Sequence, residues 1–259
     1  MNRLVRSRFL IVAGLTVATL AIFAQVGSHE FLLYDDPEYV TSNLQVRAGL
    51  TWHGLLWSFK TFAAGNWHPL TWISHMLDVQ LFGLDSGSHH LVNVAIHLLA
   101  TIFLFLFLAR ATGSEWKSAF VALVFAIHPL HVESVGWVAE RKDVLSGLFV
   151  VLSLGAYLSY AARPSLKRYL LVVLAFALAL MAKPTAVTFP LLMLLLDVWP
   201  LRRLRVWDKL PLFLMSGVAA TLTFVAQRSS GAVSSIYVLG LLVTPLLPET
   251  RGRPLPEDS

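Results

Sequence analysis

Two adjacent carboxylates, Asp35 and Asp36, lie in the stretch FLLYDDPEYV and are followed at once by Pro37. Two like charges side by side hold one proton more tightly, which suits a carboxylate that accepts a proton from a reacting hydroxyl. The pair therefore predicts a general base, with Asp35 as first candidate and Asp36 as second. Pro37 is expected to end the preceding helix. A solvated acidic turn or a helix N-cap is the alternative interpretation.

Four cations recur at the ends of apolar runs, on the side of the membrane that the acid pair is expected to face: Arg141 and Lys142 in AERKD, Lys183 in MAKPT and Arg228 in AQRSS. Each one alone is explained as a long side chain that reaches the headgroup level. Their recurrence opposite two acids indicates an anion site, and a phosphate fits it best. Such cations would stabilise a departing phosphate.

A third group of residues combines histidine with aromatic side chains. His68, Trp72 and His75 in NWHPLTWISH have the spacing i, i+4, i+7, which predicts one helical face. They indicate either an interfacial helix in the headgroup belt or the lining of a path for a lipid-linked substrate. Tyr34, next to the acid pair, belongs to the same predicted cavity.

The stretch AIHPLHVES places polar groups at membrane depth. The apolar part before it, Ala119–Ile127, covers only ~14 Å as helix, whereas the hydrocarbon core is ~30 Å thick. The helix is therefore expected to continue through Pro129, and His128, His131 and Glu133 should face a cavity. Hydrogen bonding to neighbouring helices is the alternative. A divalent metal is conceivable, although i, i+3, i+5 does not place all three on one face.

The elements that must position these residues are membrane helices. Among 259 residues 56% are hydrophobic and only 14% charged, and the mean hydropathy is +0.68, which is too apolar for a soluble domain. An all-α polytopic membrane protein with about eight spans is expected. The spans are predicted at Phe9–Val26, Leu91–Ala109, Ala119–Val138, Val144–Ala162, Tyr169–Ala182, Val187–Leu201, Leu210–Ala226 and Val233–Leu247.

The basic residues predict the orientation of these spans. With the N-terminus inside, 14 of the 20 Lys and Arg residues lie on the inner side, which agrees with the positive-inside rule. Both termini are then cytoplasmic, in a bacterial inner membrane. The acid pair and all nine His belong to the outer side or to the helices next to it. The inner residues are Arg3, Arg6, Arg8, Arg110, Lys117, Arg163, Lys167, Arg168, Arg202, Arg203, Arg205, Lys209, Arg251 and Arg253.

Several classes of function are disfavoured. Cys is absent, so no disulfide, thiolate nucleophile or Cys-ligated metal can form. Neither G-x-x-x-x-G-K-[ST] nor G-x-G-x-x-G occurs, so the common nucleotide-phosphate loops are missing. The Lys and Arg residues lie between apolar runs and form no single basic face, so no nucleic acid partner is expected. The long first outer loop, from about Gly27 to His90, is expected to carry interfacial helices.

The motifs YDDPEYVTSN, WHPLTWISHMLD, HPLHVESVGWVAERKDVLS and AKPTAVTFPLLMLLLDVWPLRR together resemble the transmembrane and tetratricopeptide-repeat O-mannosyltransferase family and its bacterial relatives, over about Phe31–Ser235. The resemblance implies a GT-C fold and an inverting transfer of a sugar from a polyprenyl-phosphate donor to an acceptor hydroxyl of a protein Ser or Thr or of a glycan. It implies that the catalytic base is Asp35 or Asp36. No cofactor is firmly predicted beside the lipid-linked sugar donor, and a divalent metal stays possible.

The C-terminal part departs from that pattern. The family continues with further membrane helices and 34-residue repeats, whereas VTPLLPETRGRPLPEDS resembles the C-terminus of a major facilitator. Residues 1–235 are therefore predicted to be a partial catalytic region, and residues 236–259 a divergent segment with a cytoplasmic tail. A transporter fragment and an inactive truncated scaffold are the alternatives. Partners would be membrane lipid, the lipid-linked sugar and the acceptor.

Overall fold

The computed structural model of the chain describes residues 3–229, which fold into eleven α-helices joined by short turns. The predicted all-α class is confirmed. The helices are α1 Arg3–Phe23, α2 Leu44–Arg47, α3 Trp52–Lys60, α4 Pro69–Phe82, α5 Ser86–Thr112, α6 Glu115–Ile127, α7 His131–Gly136, α8 Arg141–Ala162, α9 Leu166–Ala182, α10 Phe189–Val198 and α11 Leu210–Ser229.

The longest helix, α5, shows how the sequence sets its ends. The Asp85 side chain accepts a hydrogen bond from the Ser88 N–H at 2.9 Å and so caps the first turn. Gly113 ends the helix in a left-handed conformation with φ +69°, which costs glycine little. Its 27 residues extend about 40 Å, more than the ~30 Å of hydrocarbon.

Four apolar segments of residues 3–229 are long enough to cross a membrane. They are Val5–Ser28, Ser86–Thr112, Val138–Ala162 and Trp207–Ser229, and they agree with four of the predicted spans. The chain is thus an integral, multi-pass membrane protein. The predicted spans in α9 and α10 form shorter helices. The predicted eighth span, Val233–Leu247, and the predicted boundary at 235 lie outside the described residues.

The predicted third span is interrupted, which corrects the expectation of a helix through Pro129. Helix α6 ends at Ile127 and α7 begins only at His131. His128 between them is extended, with φ −64° and ψ 132°. The physical reason is Pro129, whose ring disfavours the α conformation of the residue before it and which lacks an N–H for the helix.

The core of the helical bundle lies between α5, α8, α9, α10 and α11. Its largest members are buried aromatic and aliphatic side chains. Helix α1 packs on α5 and α6 through a second cluster that contains Ile11, Leu15 and Phe105. The first cluster includes Phe107, Tyr157, Phe176, Phe189, Met193 and Leu212.

The long segment between α1 and α5, predicted as the first outer loop, is folded onto the helix ends. As predicted, it carries helices, α2 to α4, and the side chains of Asn43 and Thr51 cap α2 and α3. The Thr71 hydroxyl donates to the Ala182 carbonyl at 3.0 Å, which ties α4 to the end of α9. Pro37 does not end a helix as expected, because it occupies the first position of a π-helical turn, Pro37–Thr41, where its missing N–H costs nothing.

A buried ionic network closes the opposite end of the bundle. Asp197 of α10 is fully buried and accepts hydrogen bonds from the Tyr157 hydroxyl at 2.5 Å, from Arg203 Nε at 3.3 Å and from Lys209. These contacts join α8, α10 and the start of α11. Arg203 and Lys209, both predicted to lie on the inner side, are therefore held together at one end of the bundle.

The start of α5 depends on a glycine. A Cβ atom at Gly87 would overlap the carbonyl oxygen of Gly27, which belongs to the backbone and cannot rotate away. Gly87→Ala is therefore expected to lower the free energy of unfolding by ~1–3 kcal/mol. Thermal unfolding in detergent measures this effect.

Gly155→Ala in α8 is the control, because a Cβ there meets no atom within 4 Å. Replacing a helical glycine by alanine at an open position is expected to stabilise the helix by up to ~1 kcal/mol. Equal unfolding temperatures for Gly87→Ala and the wild type would contradict the close approach of α5 to Gly27.

Candidate active site

The ends of several helices surround one polar pocket of about 500 Å³. The segment between α1 and α5 forms most of its wall, and α8 and α11 contribute one side chain each. The two elements that carry the predicted base and the predicted phosphate ligands therefore meet here. The lining residues are Asp35, Glu38, Tyr39, Phe62, Ala64, Gly65, Asn66, Lys142 and Gln227.

The two acids of the opening motif occupy different environments. Asp35 is partly exposed and lines the pocket, and no donor within residues 3–229 holds its carboxylate. Asp36 is fully buried and accepts hydrogen bonds at 2.8 Å from the backbone N–H groups of both Leu32 and Ala139. The pair therefore provides one accessible carboxylate and one that ties the loop to the segment before α8.

Burial raises the pKa of the Asp36 carboxyl above its ordinary value, although its two backbone donors act in the opposite direction. Asp36 is fully buried and does not line the pocket, so its oxygens are not accessible to a substrate hydroxyl. The geometry therefore favours Asp35 over Asp36 as the group that meets a substrate.

Two lysines and two acids form a quartet at the edge of the pocket. Lys142 Nζ lies 2.7 Å from Glu140 Oε1, and Lys183 Nζ lies 3.5 Å from Glu140 Oε2. Lys183 also pairs with Asp143. In addition, the Lys142 ammonium lies 4.8 Å from the centre of the Tyr39 ring, a cation–π distance. The quartet is neutral as a whole, and Lys142 is the member that reaches the pocket.

Arg141, predicted to bind the same phosphate, is fully buried instead. Its guanidinium donates to Asp78 Oδ2 at 2.6 Å, to the Ser74 hydroxyl at 2.9 Å, to the His89 carbonyl at 2.9 Å and to Asn93. All of these partners belong to the protein, on α4 and α5. The side chain therefore joins α8 to these helices and does not line the pocket.

Arg228, the fourth predicted cation, lies in the last turn of α11 and is exposed. Its chain neighbour Gln227 lines the pocket. Arg228 itself is not among the lining residues.

Tyr39 stands on a buried stack of the predicted aromatic and histidine residues. Its ring lies 5.5 Å from that of His68 and 4.9 Å from that of Trp72, both roughly parallel to it, and 6.1 Å from the His75 ring. All three are buried. The predicted shared face is present, since Trp72 and His75 belong to α4 and His68 directly precedes it. These residues support the pocket through Tyr39.

Burial in this stack makes the histidines poor bases. Desolvation lowers the pKa of His68 to about 3 and that of His75 well below its ordinary value, and nearby cations add to both effects. Desolvation likewise raises the pKa of the Tyr39 hydroxyl. These shifts favour the neutral forms of the three side chains at physiological pH, so none of them is suited to accept the proton of a reacting hydroxyl.

The other predicted cavity residues do not line this pocket. Tyr34 is 79% exposed and contacts the Trp137 ring at 5.8 Å. Glu133 lines an apolar pocket between α1 and α7, and His131 lines a smaller one with Asp143. His128 accepts a hydrogen bond from the Leu130 N–H.

The predicted metal triad of His128, His131 and Glu133 is not brought together. The group of potential ligands that does converge within residues 3–229 consists of other side chains, on α4 and α5.

Sequence reasoning missed Asp78, Asn93 and Glu140. Asp78 and Asn93 each interrupt an otherwise apolar helical pattern, in SHMLDVQLF and HLVNVAIHL. A polar residue at such a position signals a buried partner, but the sequence does not identify that partner.

Comparison with known proteins assigns the chain to a family. Residues 69–229, more than half of the chain, match the family described as dolichyl-phosphate-mannose-protein mannosyltransferase. The chain belongs to this family. The match includes the quartet and most of the buried stack, and it confirms the predicted resemblance.

Curated relatives of the mannosyltransferase family agree with this assignment. Protein O-mannosyl-transferase tmtc2 of Xenopus laevis is 34% identical over 137 residues, which cover 50% of this chain and 16% of that protein. Protein O-mannosyl-transferase Tmtc1 of Drosophila melanogaster is 32% identical over 198 residues, which cover 72% of this chain and 22% of that protein. The chain thus matches about a fifth of the length of these relatives. No solved structure matches it.

Proposed function

We propose that this chain carries the reaction site of a membrane glycosyltransferase that moves a sugar, mannose by analogy with its relatives, from a polyprenyl phosphate to a Ser or Thr hydroxyl of an acceptor protein. The observation that carries the proposal is the pocket in which the accessible carboxylate of Asp35 and the ammonium of Lys142 line the same space. The family match supports the same class of reaction.

The proposed reaction is a single displacement at the anomeric carbon. The acceptor oxygen forms a bond to this carbon while Asp35 takes the hydroxyl proton. The bond between the carbon and the phosphate oxygen breaks, and its electron pair stays on the phosphate. A phosphate is a stable leaving anion, so one base suffices, and a single displacement inverts the configuration.

Lys142 is the proposed first ligand of the donor phosphate, with Lys183 behind it and Arg228 next to the pocket-lining Gln227. The negative charge on the phosphate grows as the sugar departs, so a fixed cation stabilises the transition state more than the ground state. Arg141 has no part in this contact, because its donors are directed at α4 and α5.

The pocket is proposed to face the extracytoplasmic side of a bacterial inner membrane, with the N-terminus in the cytoplasm. The network around Asp197, with Arg203 and Lys209, lies at the other end of α8. A basic end opposite the pocket is the arrangement that the positive-inside rule favours.

Lys142→Met tests the donor site, because methionine keeps much of the side-chain length and removes the charge. In a transfer assay with radiolabelled polyprenyl-phosphate mannose and a Ser/Thr peptide, kcat/KM is expected to fall about 10- to 150-fold, which corresponds to the ~1.5–3 kcal/mol of a hydrogen bond to a charged group. Lys142→Arg should restore part of the loss.

Lys60→Met is the matched control, since Lys60 is an exposed lysine at the end of α3 and should leave kcat/KM unchanged. Binding of the lipid donor, followed by Trp fluorescence, separates donor recognition from chemistry. If the Lys142→Met protein has the kcat/KM and the donor affinity of the wild type, Lys142 does not bind the donor phosphate. A wild-type protein that binds no donor would refute the proposed function.

A further inference from the structure

A second cluster of polar side chains lies behind Tyr39, away from the pocket. His75 and Asp78 of α4 and His89 of α5 bring one potential ligand atom each to within 4.8 Å of the others. All three side chains are buried, and His75 contacts the Tyr39 ring. The proposed sugar transfer uses none of these groups.

One ring nitrogen of His89 is hydrogen-bonded to the backbone, and the other faces the Asp78 carboxylate. Its Nε2 lies 3.0 Å from the Gly83 carbonyl oxygen, which can only accept, so Nε2 carries the hydrogen. Its Nδ1 has no hydrogen-bond partner in the described part of the chain and faces Asp78 Oδ2 at 3.6 Å. In neutral histidine this nitrogen is an acceptor, so two acceptors face one another and a cation between them would satisfy both.

His75 adds a further unsatisfied acceptor. Both of its ring nitrogens are buried without a hydrogen-bond partner in residues 3–229. A buried polar atom left without a partner costs ~1–3 kcal/mol, and a bound water or ion is one way in which the missing contact is supplied. A single cation at the centre of the three side chains would contact His75, Asp78 and His89 together.

The donor set selects the kind of ion. Two imidazole nitrogens and one carboxylate oxygen match Zn²⁺, which accepts this combination and takes a fourth ligand from water. Ca²⁺ and Mg²⁺ require mostly oxygen ligands and fit poorly. The Gly83 carbonyl on His89 and the Arg141 guanidinium on Asp78 are outer contacts of the kind that orient metal ligands. Arg141 also neutralises the charge of Asp78. The two imidazole nitrogens would therefore contribute most of the affinity for the metal ion.

We propose that His75, Asp78 and His89 bind one Zn²⁺ that joins α4 to α5 behind the pocket. The ion would fix the helix that supports Tyr39 and so hold the pocket wall in place. This inference is independent of the proposed transfer reaction, because it concerns the fold and is tested without any sugar donor.

The experiment measures zinc on the purified full chain after removal of metal with a chelator and addition of Zn²⁺. About one Zn²⁺ per chain is expected, together with a rise in the unfolding temperature of the wild type. His75→Leu is expected to abolish both the bound zinc and the rise in unfolding temperature. His53→Ala is the matched control, since His53 is exposed on the same loop and bonds only Gln45; it should bind zinc as the wild type does.

Two results would overturn the proposal. One is a wild-type chain that takes up no zinc and unfolds at the same temperature with and without it. The other is a His75→Leu protein that retains the bound zinc. In a cluster without metal, His75→Leu removes two unsatisfied nitrogens and should raise the unfolding temperature, whereas the proposal expects a lower one in the presence of Zn²⁺.

Discussion

Replacing Asp35 by asparagine is expected to lower the turnover number of sugar transfer about 10²- to 10⁴-fold, the usual contribution of a positioned general base. The amide keeps the shape of the carboxylate and cannot take a proton. Because Asp35 holds no other element in place, the unfolding temperature and the affinity for the lipid donor should stay close to the wild type. Single-turnover kinetics with radiolabelled donor measure the effect.

The neighbouring acid provides the comparison within the same prediction. Asp36 accepts hydrogen bonds from the backbone N–H groups of Leu32 and Ala139. In Asp36→Asn one of the two accepting oxygens becomes an NH₂ group, so one backbone N–H loses its acceptor and faces another donor. A loss of ~1–3 kcal/mol of stability is expected, with any decrease in turnover following from it. If Asp35→Asn retains full activity, the carboxylate is not the base. If Asp36→Asn unfolds as the wild type does, the assignment of separate roles to the two acids fails.

Arg141→Met is expected to destabilise the fold by ~3–5 kcal/mol, because it leaves the buried Asp78 carboxylate without its charged partner. Met fills much of the space of the Arg stem, so the loss of charge and hydrogen bonds dominates. Thermal unfolding of chelator-treated protein in detergent, monitored by Trp fluorescence, measures this loss with no metal ion to compensate the Asp78 charge. The effect on transfer should be no larger than the fraction of unfolded protein explains.

Two further variants make this prediction specific. Arg47→Gln removes an exposed arginine of the segment between α1 and α5 and should change stability by less than ~0.5 kcal/mol. Asp78→Asn in the Arg141→Met background removes the uncompensated charge and should recover part of the stability. The prediction is contradicted if the Arg141→Met single variant is as stable as the wild type but binds the donor more weakly. Arg141 would then be a ligand of the donor phosphate.

The sequence carried much information about the fold because membrane helices are encoded locally. The apolar runs of α1, α5, α8 and α11 are each long enough to be recognised without knowledge of their neighbours. The break at His128 was missed because span length argued for a continuous helix, whereas the local effect of Pro129 prevailed. The thickness of the membrane sets the length that a segment must cover, and two short helices in series can cover it as well as one continuous helix.

The candidate site could be predicted only in part, because its side chains come from distant segments. The acid pair was recognisable, but the separate roles of Asp35 and Asp36 depend on Ala139, which is 103 residues away from Asp36. The burial of Arg141 likewise depends on Asp78, 63 residues away. Two adjacent cations in AERKD look alike in sequence, and only the packing of α8 separates the buried Arg141 from Lys142 at the pocket.

Lys142 and Lys183 are already paired with Glu140 and Asp143. An anion can therefore bind these lysines only in exchange for a carboxylate. In the proposed reaction, a donor phosphate would have to displace carboxylates that already neutralise the lysines. The carboxylates would pair with the same ammonium groups again once the lipid phosphate departs. The lysines would thus keep a counter-ion between one donor and the next.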